Sequence, residues 1–109
     1  TRYKAIAERD VSHHNPSMIV SWKHKGLQTF YETGSTKGIN AGHAKRLRRV
    51  LLILDSAEHP GELNLPGWRF HRLKGDLLDY CSVSISGNWR IIFRMLDDHV
   101  ELVDYLDYH

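Results

Sequence analysis

The stretch YCSVSISGNWRIIF, residues 80–93, limits the fold more than any other part of the chain. Before Gly87, Cys81, Val83 and Ile85 alternate with Tyr80, Ser82 and Ser84; after it, Trp89, Ile91 and Phe93 alternate with Arg90, Ile92 and Arg94. Period-two alternation on both sides of a Gly-Asn pair predicts an antiparallel hairpin with one apolar face. A slip of one residue would turn every side chain to the wrong face, so the loop length matters. A plain two-residue Gly-Asn turn would set Arg90 across from Ile85. A three-residue loop, Ser86-Gly87-Asn88, pairs Ile85 with Trp89 and Ser84 with Arg90, and is the register expected here. Arg90 then stands among serines on the wetter face, either as ordinary surface or as a fork that grips two phosphate oxygens.

Upstream, MIVSW from Met18 is rich in β-formers and predicts a short strand. KHKGLQTFYETG follows with Leu27, Phe30 and Tyr31 at helical spacing and Gly34 as a stop. Asn40 is a good N-cap for a second helix, whose stripe of Leu47, Val50, Leu51, Leu54 and Ala57 belongs in a core. Lys45, Arg46, Arg48 and Arg49 fall mostly off that stripe, as a solvated face or an RNA-contacting one would. HPGEL and LPGW break the chain, and strands are expected after them. Residues 1–17 show little periodicity and end in a turn-like NPS. They are expected to be an extension outside the core, with a helix over YKAIAERD as one reading and His13 and His14 as tail residues.

A chain of 109 residues holds one domain of ordinary size. Its single cysteine, Cys81, excludes an internal disulfide framework and a zinc site built on thiolate pairs. No apolar run approaches the roughly 20 residues of a membrane span, and the expected location is the cytoplasm. The net charge of +2 hides a division along the chain. Residues 18–94 carry 12 basic against 6 acidic side chains, whereas residues 95–109 carry Asp97, Asp98, Glu101, Asp104 and Asp107 with no Lys or Arg. A basic body of this kind suits a polyanion partner or a solvated surface.

WRFHRLKG, residues 68–75, sets His71 and Lys74 after a Pro-Gly turn, and the last strand, HVELVDYLDYH, ends in Asp107, Tyr108 and His109. Sequential antiparallel strands are usually neighbours, so the sheet could gather these segments and Arg90 on one side. Cleaving RNA without a metal needs a base for the 2′-hydroxyl proton, cations for the phosphate charge and an acid for the departing 5′ oxygen. Histidine is the side chain suited to exchanging protons near neutral pH, which makes His71 and His109 candidates. Lys74 and Arg90 can hold phosphoryl oxygens, Tyr108 can stack on a base or donate a proton, and Asp107 can orient a histidine. Spacing alone leaves open which histidine is the base. Arg72, one step from His71, should point the other way and is not a candidate. Carboxylates are scattered and the eight histidines show no ligand spacing beyond His13-His14, which disfavours a metal-dependent nuclease.

SWKHKGLQTFYETGST, RFHRLKGD, GNWRIIF and the terminal DYH together resemble the HigB-type toxins of the RelE/ParE superfamily, over Met18–His109. The resemblance implies an α+β fold of one RelE-like domain: an N-terminal strand, two helices, then a mostly antiparallel sheet of about four strands. It implies an endoribonuclease that cuts messenger RNA in the ribosomal A site, needs no metal or other cofactor, and is neutralised by an antitoxin. That antitoxin would be HigA-like with a helix-turn-helix, and operator DNA would be reached only through it. The family's H-x-L-K-G histidine and lysine fall on His71 and Lys74, its strand arginine on Arg90, and its terminal D-Y-H on Asp107, Tyr108 and His109. Lys23, Lys25, Lys45, Arg46, Arg48 and Arg49 then become candidates for holding ribosomal RNA through its phosphates. LLDYC after Asp76 departs from the more polar run usual in relatives, and the residues before Met18 are extra. Two other classes stay open: a ParE-like gyrase inhibitor on the same fold, in which the His71, Lys74 and D-Y-H set would have no chemical duty, and a module that only binds antitoxin or nucleic acid.

Overall fold

Alternation in the hairpin builds the centre of the fold. In the computed structural model, which describes residues 18–77, 79–96 and 99–107, β2 (Tyr80–Ser86) and β3 (Trp89–Leu96) pair antiparallel, with β1 (His71–Arg72) beyond β2 and β4 (His99–Asp107) beyond β3. The expected extension over residues 1–17, with His13 and His14, and the expected positions of Tyr108 and His109 lie outside the described residues. Among the described residues no helix is long and apolar enough to cross a membrane.

The hairpin register is part as expected and part not. Ser84 does pair with Arg90, but Trp89 pairs with Ser86 rather than Ile85, and the ladder shifts between Ser84 and Ser86. The connection is therefore a two-residue Gly87-Asn88 turn plus a bulge at Ile85, with Gly87 at φ +56°. One extra residue in β2 performs the correction that a longer loop would have made, so both hairpin faces keep their assignment. Cys81, Val83, Ile85, Ile91 and Phe93 are buried on one face, and Arg90 lies on the other.

Two helices cover the apolar face. α1 (Lys25–Thr33) starts where the His24 ring nitrogen Nδ1 accepts from the Leu27 amide at 2.9 Å, and stops at Gly34, φ +87°. Near its start the backbone approaches the following loop closely: a Cβ on Gly26 would lie 2.4 Å from the Gly38 carbonyl oxygen. Asn40 caps a short 3₁₀ turn, Ala41–His43, which continues into α2 (Ala44–Leu54). The predicted stripe is the core: Leu47, Val50, Leu51, Leu54 and Ala57 are fully enclosed. They meet Leu27 and Phe30 of α1 and Val83, Ile91, Phe93, Val100 and Val103 of the sheet.

The expected N-terminal strand forms only as two isolated parallel bridges to β4, Ile19 with Val100 and Trp22 with Val103. Leu102, at φ +57°, explains the interruption. It makes a bulge against β3, between the pairs Ile92–Asp104 and Arg94–Glu101, and its amide turns to the Ser21 hydroxyl at 2.9 Å instead of a carbonyl. The segment is held from the other side by Asp55, just past α2. Its Oδ1 accepts from the Met18 and Ile19 amides at 2.8 and 3.0 Å, and its Oδ2 from the Tyr31 hydroxyl at 2.8 Å. Burial and the Asp55 carboxylate together push the Tyr31 phenol well above its ordinary range.

A candidate RNA-cleaving face on the open side of the sheet

WRFHRLKG contributes less strand than its alternation suggests. Only His71 and Arg72 enter the sheet, His71 opposite Ser82 and Arg72 opposite Cys81, with one further ladder bond from the Leu73 amide to the Tyr80 carbonyl at 2.8 Å. The positive φ of Arg69, +48°, and of Gly75, +69°, turns the backbone on either side. The pairing settles the directions. His71 shares the open face with Ser82, while Arg72 shares the helix-covered face with Cys81, as period two requires. Burial raises the Cys81 thiol pKa, and the Arg72 charge offsets part of that rise.

On the open face, cross-strand rows bring two candidates together. His71, Ser82, Ile92 and Asp104 form one row; Ser84, Arg90 and Leu106 form the next. Arg90 leans diagonally between them, and its Nη1 donates to the Ser82 hydroxyl at 2.9 Å. His71 and Arg90 therefore adjoin the same serine from opposite sides, although eighteen positions separate them in sequence. The face is also drier at its centre than expected: Ser82, Ser84 and Ile92 are buried. Ile92 lies between Arg90 and Arg94 on the same face of its strand. His71 at the edge remains exposed. Ser82 was not singled out from sequence, and the available signal was modest: a small polar residue alternating between Cys81 and Val83 and leaving room for a long neighbour.

The remaining candidates are distributed differently. Lys74 is exposed, just past the last ladder bond of β1. Asp107 pairs with Trp89, so the register places it in a row of the helix-covered face, at the exposed strand end, while Leu106 is the residue across from Arg90. The expected gathering of Asp107 with His71 and Arg90 on one face is thus not what the pairing gives. Further along the open face, Arg94 is tied to Glu101 at 2.9 Å, and Glu101 also meets the His99 ring at 3.2 Å, a charge cluster that sequence reasoning did not identify. Among the described residues, no group of three or more His, Cys, Asp or Glu side chains is placed to hold a metal ion.

The basic residues proposed to meet RNA lie on or beside the helices. Lys23, Lys25, Lys45, Arg48 and Arg49 are exposed. Arg46 differs from them: it is half-buried, and its Nη2 donates to the Gly67 and Ser84 carbonyls, both at 3.0 Å. Nearby, the start of α2 is fixed to β4 through the Tyr105 hydroxyl, which lies 2.7 Å from His43 Nδ1 and accepts from the Asn40 amide at 3.3 Å.

Comparison with known proteins identifies the family and the fold. The family model for the RelE-like toxin of the type II toxin–antitoxin system HigB matches residues 20–109. A Proteus vulgaris protein named Endoribonuclease HigB is 40% identical over 92 residues, 84% of this chain and 100% of that protein. Toxin HigB-1 of Vibrio cholerae serotype O1 is 37% identical over 94 residues, 84% of this chain and 98% of that one. Among solved structures, YoeB of Staphylococcus aureus as a dimer is similar with a TM-score of 0.54 at 17% identity, covering 84% of this chain and 94% of that one. The S. aureus YoeB–YefM complex gives a TM-score of 0.56 at 17% identity, covering 87% of this chain and 99% of that one. The two structures share the fold; the family model and the two sequence relatives carry the assignment, and the chain belongs to the HigB family of RelE-like toxins of type II toxin–antitoxin systems.

Proposed function

We propose that the protein is an endoribonuclease that cleaves messenger RNA on the ribosome, in the cytoplasm, and is held in check by a cognate antitoxin. The observation that carries the proposal is the convergence of His71 and Arg90 on Ser82, which sets a proton-transfer group beside a cation on one accessible face. The Proteus vulgaris relative named Endoribonuclease HigB supports the same activity.

In this reading the 2′-oxygen attacks the adjacent phosphorus, the bond from phosphorus to the 5′ oxygen breaks, and a 2′,3′-cyclic phosphate and a 5′-hydroxyl end result. One of His71 and His109 takes the 2′ proton and the other returns a proton to the leaving oxygen. Arg90 is anchored by Ser82, so its charge is positioned before the phosphorane forms, and preorganised charge stabilises a transition state most. Lys74 supplies a second cation and Tyr108 stacks on a base or donates a proton, while Asp107, which the register sets off the open face, is left to orient His109 rather than His71. These groups come from the chain itself, and the reaction so written needs no metal. Lys23, Lys25, Lys45, Arg48 and Arg49 hold ribosomal RNA through its phosphates, without reading sequence. The antitoxin in this reading is a small helix-turn-helix protein encoded beside the toxin, through which alone operator DNA is met.

Induction of the wild type beside Arg90→Gln and His109→Ala, with transcriptome-wide mapping of mRNA 5′ ends and a parallel gyrase assay, tests the proposal. Codon-spaced cuts that vanish in both variants are expected. Intact mRNA together with stalled gyrase would replace the nuclease by a gyrase inhibitor on the same fold. Ribosome binding should also weaken steeply between low and moderate salt; unchanged affinity would remove the basic residues from the scheme.

A further inference from the structure

Arg46 falls among the basic residues of α2, yet its donors are directed into the protein. Its Nη2 bonds two carbonyls from distant segments, Gly67 in the loop before β1 and Ser84 in β2, and its guanidinium lies 5.4 Å from the centre of the buried Trp68 ring. The same two segments are joined directly by the Ser84 amide, which donates to the Trp68 carbonyl at 2.7 Å. One side chain therefore closes a junction between α2, the 64–70 loop and β2.

Both ends of that junction lead to the candidate site. Gly67 and Trp68 stand four and three residues before His71, across the left-handed turn at Arg69. Ser84 is the residue paired with Arg90, immediately before the Ile85 bulge. β1 itself is two residues long, so its own ladder gives His71 little purchase on the sheet. We propose that Arg46 is a positioning residue: by clamping the Gly67–Trp68 turn to Ser84, it fixes where His71 sits relative to Arg90. It touches no RNA. The proposal rests on the endoribonuclease reading above for its chemical consequence, though not for the contact itself.

One guanidinium nitrogen held between two carbonyls of separate segments, beside the Trp68 ring, has a chemical signature that a phosphate contact lacks. Lysine keeps the charge, but its Nζ ends one bond short of the place of Nη2 and it has no guanidinium plane to cover the Trp68 ring. Arg46→Lys and Arg46→Gln should therefore behave alike, lowering single-turnover cleavage at saturating ribosome on the order of 10- to 100-fold, as sub-ångström to ångström misplacement of a reacting group does. Ribosome affinity and its salt dependence should stay within about twofold, because a residue directed inward releases few counterions. Hydrogen exchange should quicken at the Ser84 amide while the rest of the β2–β3 ladder keeps its protection. Trp68→Phe, which retains a ring under the guanidinium, should show the same local pattern more weakly.

The result that overturns the proposal is rescue by lysine, with Arg46→Gln losing affinity and salt dependence: Arg46 would then be a phosphate ligand. Loss of protection across all of β2 and β3 in the lysine variant would equally overturn it, making Arg46 a residue of the fold as a whole. Cleavage unchanged in all three variants removes any role in the site. A wild type that binds ribosomes and cuts nothing would instead sink the endoribonuclease reading, and the Ser84 exchange rates would still report whether Arg46 holds the junction.

Discussion

On the helix-covered face of the sheet, Val83, Ile91, Phe93, Val100 and Val103 have no exposure at all and touch the stripe of α2; on the opposite face, His71 is exposed and Arg90 is half-buried against a serine. The first face is held by many interchangeable apolar contacts. The second is held by a few directed ones: a diagonal hydrogen bond, an ion pair between Arg94 and Glu101, and a two-residue β1. The contrast teaches how one thin sheet carries both stability and chemistry. Apolar packing tolerates no vacancy but asks for no particular angle, whereas a site needs angles and contributes little to folding. Substitutions on the two faces should therefore separate stability from activity.

The largest effect belongs to the covered face. Phe93 is fully enclosed between the helices and the sheet, and Phe93→Ala should lower unfolding free energy by about 3–5 kcal/mol, read from urea titration. That is a large share of the stability of a small domain, so cleavage should be lost with the fold. A cost below about 1 kcal/mol would mean that the core can collapse around the vacancy, and the covered face would not be the rigid layer described.

Arg90→Gln should give the mirror image. Glutamine can still donate to Ser82, so stability should fall by about 1 kcal/mol or less, while cleavage falls on the order of 100- to 1,000-fold with the charge gone. If the urea midpoint moved as far as it does for Phe93→Ala, Arg90 would belong to the architecture and the two faces would not divide their duties.

The same contrast governs what could be read from sequence. The α2 stripe and the two hairpin faces were legible because burial imposes a period, and a period is visible in a single chain: Leu47, Val50, Leu51 and Leu54 all lie where spacing puts them. The open face obeys no period. His71 and Arg90 were legible as residue types, and the face of Arg90 followed from the hairpin register, yet the face of His71 depends on its pairing with Ser82, and Ser82 as their common neighbour on how one side chain leans. The bulges at Ile85 and Leu102 each rest on a single residue, so the loop length at Gly87 was misread while its consequence for Arg90 was right. Asp107 falls on the covered side because β4 alternates without interruption from Asp104 to its end, pairing Leu106 and not Asp107 with Arg90. Arg46 shows the limit most plainly. Helical spacing says that it is off the core stripe, but not that carbonyls at Gly67 and Ser84, far along the chain, will meet it.

The smallest expected effect tests whether the helix side is silent in the chemistry. His24 is the N-cap of α1, with Nδ1 accepting from the Leu27 amide at 2.9 Å, and its ring also meets Tyr105 edge-on at 5.2 Å. Removing the acceptor in His24→Ala leaves that amide without its cap, and should cost about 1 kcal/mol; His24→Asn restores a side-chain acceptor at the same place and should recover most of it. Cleavage by either variant, measured well below its unfolding midpoint, should match the wild type, since a histidine on this side has no route to the row of His71 and Ser82. A fall in cleavage at unchanged stability would show instead that a proton-transfer group on the covered side takes part in the reaction. The separation of the two faces would then have to be redrawn around Tyr105 of β4, whose ring meets His24.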